Sequence, residues 1–165
     1  MKQSFPPLIT ENSRILILGT MPGEESLRRQ EYYANPRNQF WRIIGEIFQT
    51  DLLELTYSAR AAFLIQQGLA LWDVLESCER SSSLDRDINN RIPNNFQALF
   101  ETYRNIQVLV FNGQLAHKWF KQSVVQQQAL EKINRLQKVI LPSTSPAATV
   151  ALSEKIRQWS VIKKL

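Results

Sequence analysis

Three short apolar runs punctuate the chain, each stopped by a turn-forming residue: residues 14–19 (RILILG), 106–112 (IQVLVFN) and 138–142 (KVILP). None shows the strict polar alternation of a half-exposed strand. Runs of this length and uniformity are expected of strands covered on both faces, as in parallel sheets. Between them the spacing changes to that of helices. Phe40, Trp41, Ile43, Ile44, Ile47 and Phe48 fall on one side of a helix, leaving Arg42, Glu46 and Gln49 for the other. Residues 59–67 predict a second helix, ended by Gly68 as its C-terminal cap. Phe96, Leu99, Phe100 and Tyr103 form a third apolar stripe behind Pro93-Asn94-Asn95, and a short helix over 115–121 follows Asn112-Gly113. A last helix should begin near Ser153, with Glu154 in its first turn and Lys163-Lys164 at its end, a charge order that complements the helix dipole. Residues 69–92 are less regular. Their pattern is compatible with a long surface excursion or with a fourth strand plus a loop.

Strands alternating with helices predict an α/β layered fold with a mostly parallel sheet, and nothing along residues 1–165 marks a domain boundary or an internal repeat. Loops at the carboxyl ends of such strands line the ligand crevice. Here those loops are Gly19-Thr20-Met21-Pro22-Gly23, Asn112-Gly113 and Pro142-Ser143-Thr144-Ser145-Pro146, and all three should open on one edge of the sheet.

Composition narrows the chemistry. A single cysteine, Cys78, and a single histidine, His117, exclude an intramolecular disulfide and a Cys/His metal cage within one chain, so no metal or cofactor is expected. The longest apolar runs are too short to span a bilayer, and the opening MKQSFPPLIT lacks the apolar stretch of a signal peptide, which predicts a cytoplasmic protein with no membrane partner. The net charge of +5 permits binding to a polyanion without requiring it. His117 has no nucleophile signature around it, and the acids flanking Cys78 oppose thiolate formation. The glycine loop at 19–23 could approach an anion closely, but it is neither a P-loop nor a dinucleotide fingerprint. What remains near the strand ends is rich in amides, hydroxyls and aromatics, the groups that grip a neutral heterocycle. Phe40 and Trp41 read as core residues of their helix, whereas Tyr33, in a loop before Ala34-Asn35-Pro36, reads as a stacking face.

The segment from Gly19 to Trp41, with its order Gly-Thr-Met-Pro-Gly, Ser-Leu, Tyr-Tyr-Ala and Pro-Arg-Asn-x-Phe-Trp, resembles the first signature of the uracil-DNA glycosylase superfamily, and within it the hypoxanthine-DNA glycosylase branch. Two further stretches, Ala70 to Arg80 with Ser83-Leu84-Asp85, and Leu141 to Ala147, are similar to the same branch. Phe111-Asn112-Gly113 resembles a strand end of the mismatch-specific glycosylases. The resemblance runs from Arg14 to about Ala148.

That resemblance implies a three-layer α/β/α sandwich around a short parallel sheet. It also implies a monofunctional DNA glycosylase of base-excision repair, hydrolysing the N-glycosidic bond of a flipped, deaminated base to leave an abasic site. Its partner would be double- or single-stranded DNA carrying such a base, with the protein acting as a monomer. Hypoxanthine is the favoured base; uracil, or a catalytically inactive DNA-binding relative, are the alternatives. Mismatch-specific relatives carry a water-orienting Asn where this chain has Met21, so the amide carried over is Asn38, which on residue type alone is also a helix cap. Asn112 is implied to read the polar edge of the base, or else is an ordinary turn residue before Gly113. Tyr33 would stack on the base, with Gly19, Thr20 and Met21 beside it. Arg37, Ser143, Thr144 and Ser145 would meet DNA phosphates, and Pro146 and Ala147 would wedge into the vacated stack. Asp73 and Asp85 match the branch's middle motif without an assigned role.

Overall fold

The computed structural model describes residues 1–128 and 131–165. Its frame is a four-stranded sheet. The three runs seen in the sequence form β2 (Ile15–Gly19), β6 (Val108–Asn112) and β7 (Gln137–Leu141), following a two-residue β1 (Lys2–Gln3) that lies elsewhere. The fourth member is β3 (Leu69–Asp73), so the irregular segment after residue 68 begins with a strand. The order across the sheet is β3-β2-β6-β7, with all three pairings parallel, and Gly19 lies opposite Asp73, Leu18 opposite Phe111 and Asn112 opposite Leu141. Residues 75–93 then form an antiparallel hairpin, β4 (Leu75–Arg80) and β5 (Ile88–Pro93), which pairs with β1 in a separate sheet. The segment is thus neither a simple excursion nor only a strand and loop.

Because strand side chains alternate between faces, the uniformly apolar strands feed two cores. Leu16, Leu18, Leu109 and Phe111 pack with Phe96 and Phe100 of α4 (Phe96–Thr102) and with Trp119 of α5 (Gln114–Trp119). Ile15, Ile17, Val108 and Val110 pack on the other face with α2 (Phe40–Ile47) and α8 (Leu152–Trp159). This is the expected three-layer arrangement. Phe40 and Trp41 are wholly buried, as their spacing predicts, and Phe40 meets Trp159 edge-on at 6.1 Å. Helix α3 (Tyr57–Gln66) starts two residues before the expected position because the Thr56 hydroxyl caps it, accepting from the Ala59 N–H at 3.2 Å. Gly68 follows it with φ +74°, a left-handed conformation that favours glycine. Helix α1 (Glu24–Arg29) has no counterpart in the sequence reading, and the last helix gives way at Ser160 to a 3₁₀ turn that reaches Lys164.

Candidate active site

The parallel register brings the ends of β2, β3 and β6 to one edge of the sheet, and the loops that leave them enclose a cleft of about 500 Å³. That volume falls within the roughly 300–1,000 Å³ of small-molecule sites. Its lining includes Gly19, Thr20 and Met21 after β2, Asp73 at the end of β3, Asn112 at the end of β6, and residues 143–147 after β7. Tyr33 and Asn38 enter from the loop before α2, and residues 83–86 close the far lip. The sequence-based site residues therefore converge, with one exception: Arg37 is exposed on the same loop but does not line the cleft.

At the floor, a hydrogen-bond chain joins three loops. Asn112 Nδ2 donates to Thr144 Oγ1 at 3.0 Å and to Tyr33 Oη at 3.2 Å. The Thr144 hydroxyl donates in turn to Asn38 Oδ1 at 2.8 Å. Main-chain donors fix the orientation of both amides, since the Thr144 N–H reaches Asn112 Oδ1 at 2.9 Å and the Phe40 N–H reaches Asn38 Oδ1 at 3.0 Å. An amide oxygen has two lone pairs and its nitrogen two hydrogens. Both lone pairs of Asn38 Oδ1 are therefore taken, and the end of Asn38 left without a partner among the described residues is its NH₂. Asn112 is the reverse, with both hydrogens used and one lone pair of Oδ1 remaining. The helix-cap reading is met only in part: the N-cap of α2 is Gln39, which makes no side-chain cap bond, and Asn38, one residue earlier, accepts from the first N–H of the helix.

The network sets Thr144 apart from Ser143 and Ser145: it is fully buried, and its hydroxyl links Asn112 to Asn38. Its main chain also anchors the α2 entrance, with the Gln39 N–H donating to the Thr144 carbonyl at 3.0 Å. Gly113 allows this approach: its φ is +98°, and a Cβ there would lie 3.1 Å from Ser143 Cβ.

Tyr33 holds a left-handed backbone, φ 57°, which is uncommon for a bulky residue and the kind of strain found at functional sites. Its ring stacks on Phe40 with centroids 4.1 Å apart and an interplanar angle of 24°. Burial, and secondarily the charge of Asp73, hold its phenol well above the usual range, while the Asn112 hydrogen bond acts in the opposite direction. The phenol is neutral at physiological pH.

Two carboxyl groups share the β2–β3 side. Asp85, in a 3₁₀ turn over residues 85–87, accepts from the Thr20 hydroxyl at 2.9 Å, and burial raises its pKa. Asp73 is 5% exposed, and its Oδ2 is buried with no hydrogen-bond partner among the described residues. Burial, then the charge of Asp85, push its pKa up to about 7, with Arg80 pulling the other way. Gly19 makes the space: a Cβ at that position would stand 2.6 Å from Asp73 Oδ1. The sequence assigns Asp73 no role, although four apolar residues ending in a polar one, Leu69-Ala-Leu-Trp-Asp73, repeat the strand-then-loop pattern of the other three strands. Lys155, which no sequence motif singles out, is buried on α8, and its Nζ donates to Gln39 Oε1 at 2.9 Å beneath the 143–147 loop. Among the described residues no cluster of three or more His, Cys, Asp or Glu could hold a metal ion, and no helix is long and apolar enough to cross a membrane.

A parallel α/β sandwich whose strand-end loops surround a cleft lined by amides and an aromatic ring is the architecture of a base-binding hydrolase of the glycosylase type. The family model of the Uracil DNA glycosylase superfamily matches residues 6–164, and the chain belongs to that superfamily. It is similar to a protein of Methanosarcina acetivorans named Hypoxanthine DNA glycosylase, 31% identical over 98% of each chain. A protein of the same name from Methanosarcina barkeri is 40% identical over 68% of this chain and 71% of its own length. A solution NMR structure of a Methanosarcina acetivorans protein superposes with a TM-score of 0.81 at 30% identity, covering 99% of this chain and 96% of that one.

Proposed function

We propose that this protein is a monofunctional DNA glycosylase that excises hypoxanthine, acting as a monomer on a base flipped out of DNA. The observation that carries this reading is the fixed polarity of the Asn112 amide. Its one open position is a lone pair on Oδ1, which accepts from an N–H and not from a ring nitrogen. Hypoxanthine, the lactam formed when adenine is deaminated, presents N1–H. The names of the two Methanosarcina relatives support the same substrate.

In this reading the flipped base enters the cleft, Tyr33 packs on it with Phe40 behind, and Asn112 Oδ1 accepts from N1–H. Gly19, Thr20 and Met21 form the adjoining wall. The C1′–N9 bond breaks with oxocarbenium character at the sugar. Such a sugar adds an unactivated water, so holding the water in place is enough. Asn38, with Oδ1 committed to Phe40 and Thr144, does this through its NH₂ by donating to the water oxygen. Ser143, Ser145 and Arg37 approach the phosphates, while Pro146 and Ala147 occupy the gap in the stack.

The test is incubation with labelled duplexes containing a single hypoxanthine, uracil or xanthine, followed by alkali to reveal abasic sites. Uracil belongs in the panel because its N3–H offers the same donor. Cutting at hypoxanthine above the other two is expected. Cutting at none of the three would overturn the enzymatic reading, and a preference for uracil would overturn the choice of base.

A further inference from the structure

We propose that Asp73 is the general acid of the reaction, handing a proton to N7 of the departing purine as the glycosidic bond breaks; this rests on the hypoxanthine reading above. Three observations lead there. First, Asp73 lines the same cleft as Tyr33, Asn38 and Asn112, and it reaches the cleft from the strand end directly beside Gly19. Second, it is 5% exposed, yet among the described residues its Oδ2 has no hydrogen-bond partner, and neither side-chain oxygen joins the network that ties the other polar groups together. A buried carboxylate with no partner is costly, and native structures rarely keep one without a ligand or a chemical role. Third, the glycine beside it is spatially required, because any side chain at residue 19 would collide with the carboxyl.

The groups around Asp73 favour a retained proton. Asp85, on the lip turn, adds negative charge, and its own hydrogen bond goes to Thr20 and not to Asp73. Arg80, on β4, opposes this and keeps its charge: its Nη2 donates to the Pro22 carbonyl at 2.5 Å, while its Nε and Nη1 are buried with no hydrogen-bond partner among the described residues. Tyr33 and Tyr32, from the loop before α2, are neutral because burial raises both phenols. Burial first, then the charge of Asp85, with Arg80 opposing, leave Asp73 titrating at about 7, where a carboxylic acid can both hold and release a proton at physiological pH.

The step balances without a cofactor. The C1′–N9 electron pair moves to N9, the Asp73 proton goes to N7, and hypoxanthine leaves neutral. Water adds to C1′ and gives up one proton, so the products are the abasic hemiacetal and the free base. Asp73, now a carboxylate, regains a proton from solvent before the next turnover.

The experiment is single-turnover excision by the full chain, wild type and Asp73→Asn, from pH 5.5 to 9 on hypoxanthine duplexes. A parallel set of duplexes carries 7-deaza-deoxyinosine, which lacks the proton acceptor. Binding to a duplex with a non-cleavable deoxyinosine analogue serves as the control for fold and affinity. The wild-type rate should be level below pH 7 and fall about tenfold per unit above it. Asp73→Asn should be at least about 100-fold slower at pH 6, with no pH dependence of its own and unchanged binding. With 7-deaza-deoxyinosine the two proteins should be equally slow. A variant with the wild-type rate, or one that is slower but keeps the wild-type pH profile and still responds to removal of N7, would overturn the assignment. Wild-type protein that fails to release hypoxanthine at every pH would overturn the substrate reading and this assignment with it. A failure confined to the variant comparison touches the assignment alone.

Discussion

Replacing Asp73 by Asn should make the protein more stable, and by an amount that depends on pH. In the folded chain the carboxyl titrates at about 7, against 3.8 for an unperturbed aspartate. Below pH 4 both folded and unfolded chains hold the proton, and the group is neutral toward stability. Between pH 4 and 7 the folded chain keeps the proton while the unfolded chain releases it, so stability drains away as pH rises. Above 7 both are ionised and the full penalty stands. Three pKa units at 1.36 kcal/mol each give about 4 kcal/mol as the ceiling. Asn cannot ionise, so the variant escapes the penalty. For a chain of this size about 4 kcal/mol corresponds to a Tm increase on the order of 10 °C. Urea or thermal unfolding of both proteins at pH 4, 5.5, 7 and 8.5 measures it. The difference should be near zero at pH 4, grow through the middle of the range and level off above 7. A difference that is the same at every pH, or a variant less stable than wild type at pH 8.5, would refute the claim that the carboxyl lies buried without a partner.

Asn38→Ala should lose excision and also about 1–3 kcal/mol of stability, because the buried Thr144 hydroxyl and the Phe40 N–H both lose their acceptor, as read from urea unfolding. Asn38→Asp keeps both acceptor contacts and removes only the NH₂; excision should fall at least tenfold with the fold intact, and undiminished activity would contradict the donor role. Thr144→Val keeps the shape and breaks the link between the two amides, so it should cost about 1–3 kcal/mol, and its effect on excision should be strongly non-additive with Asn38→Ala in a double-mutant cycle. Gly19→Ala places a methyl against the Asp73 carboxyl and should lower both activity and Tm, with duplex affinity changed little. Affinity for DNA should fall steeply with salt as phosphate contacts release counterions, and an association indifferent to salt would argue against a DNA substrate.

The parallel sheet was legible because β2 and β6 are buried on both faces and so carry no alternation that could be mistaken for a loop or a helix. Strand β3 was harder to see. It follows α3 without a break beyond Gly68, and the hairpin after it mixes buried and exposed positions irregularly where its register shifts. Asn38, Asn112 and Tyr33 could be picked out because amides and aromatics in strand-end loops are conspicuous. The direction in which each amide points was not readable, since it depends on the Phe40 and Thr144 N–H groups, which every residue type supplies alike. The burial of Thr144 was hidden for a related reason: Ser-Thr-Ser looks uniformly polar along the chain, and only the fold turns its middle member inward. Asp73 escaped because a carboxylate is ordinarily solvated, and nothing local announces that this one is covered.

The anchoring of Asn112 bears on how adenine, the parent base, is spared. Adenine and hypoxanthine have nearly the same outline and differ in the sense of their hydrogen-bonding edge: adenine shows a bare ring nitrogen where hypoxanthine shows N1–H. A freely rotating amide would turn over and welcome either one. Here a turnover would set the amide NH₂ against the Thr144 N–H, donor facing donor. On the proposed reading, the distinction between a lesion and its healthy parent is therefore guarded by a peptide bond. No exchange of side chain at residue 144 short of proline removes that N–H, so the orientation of the amide survives substitution there and is lost only when Asn112 itself is replaced.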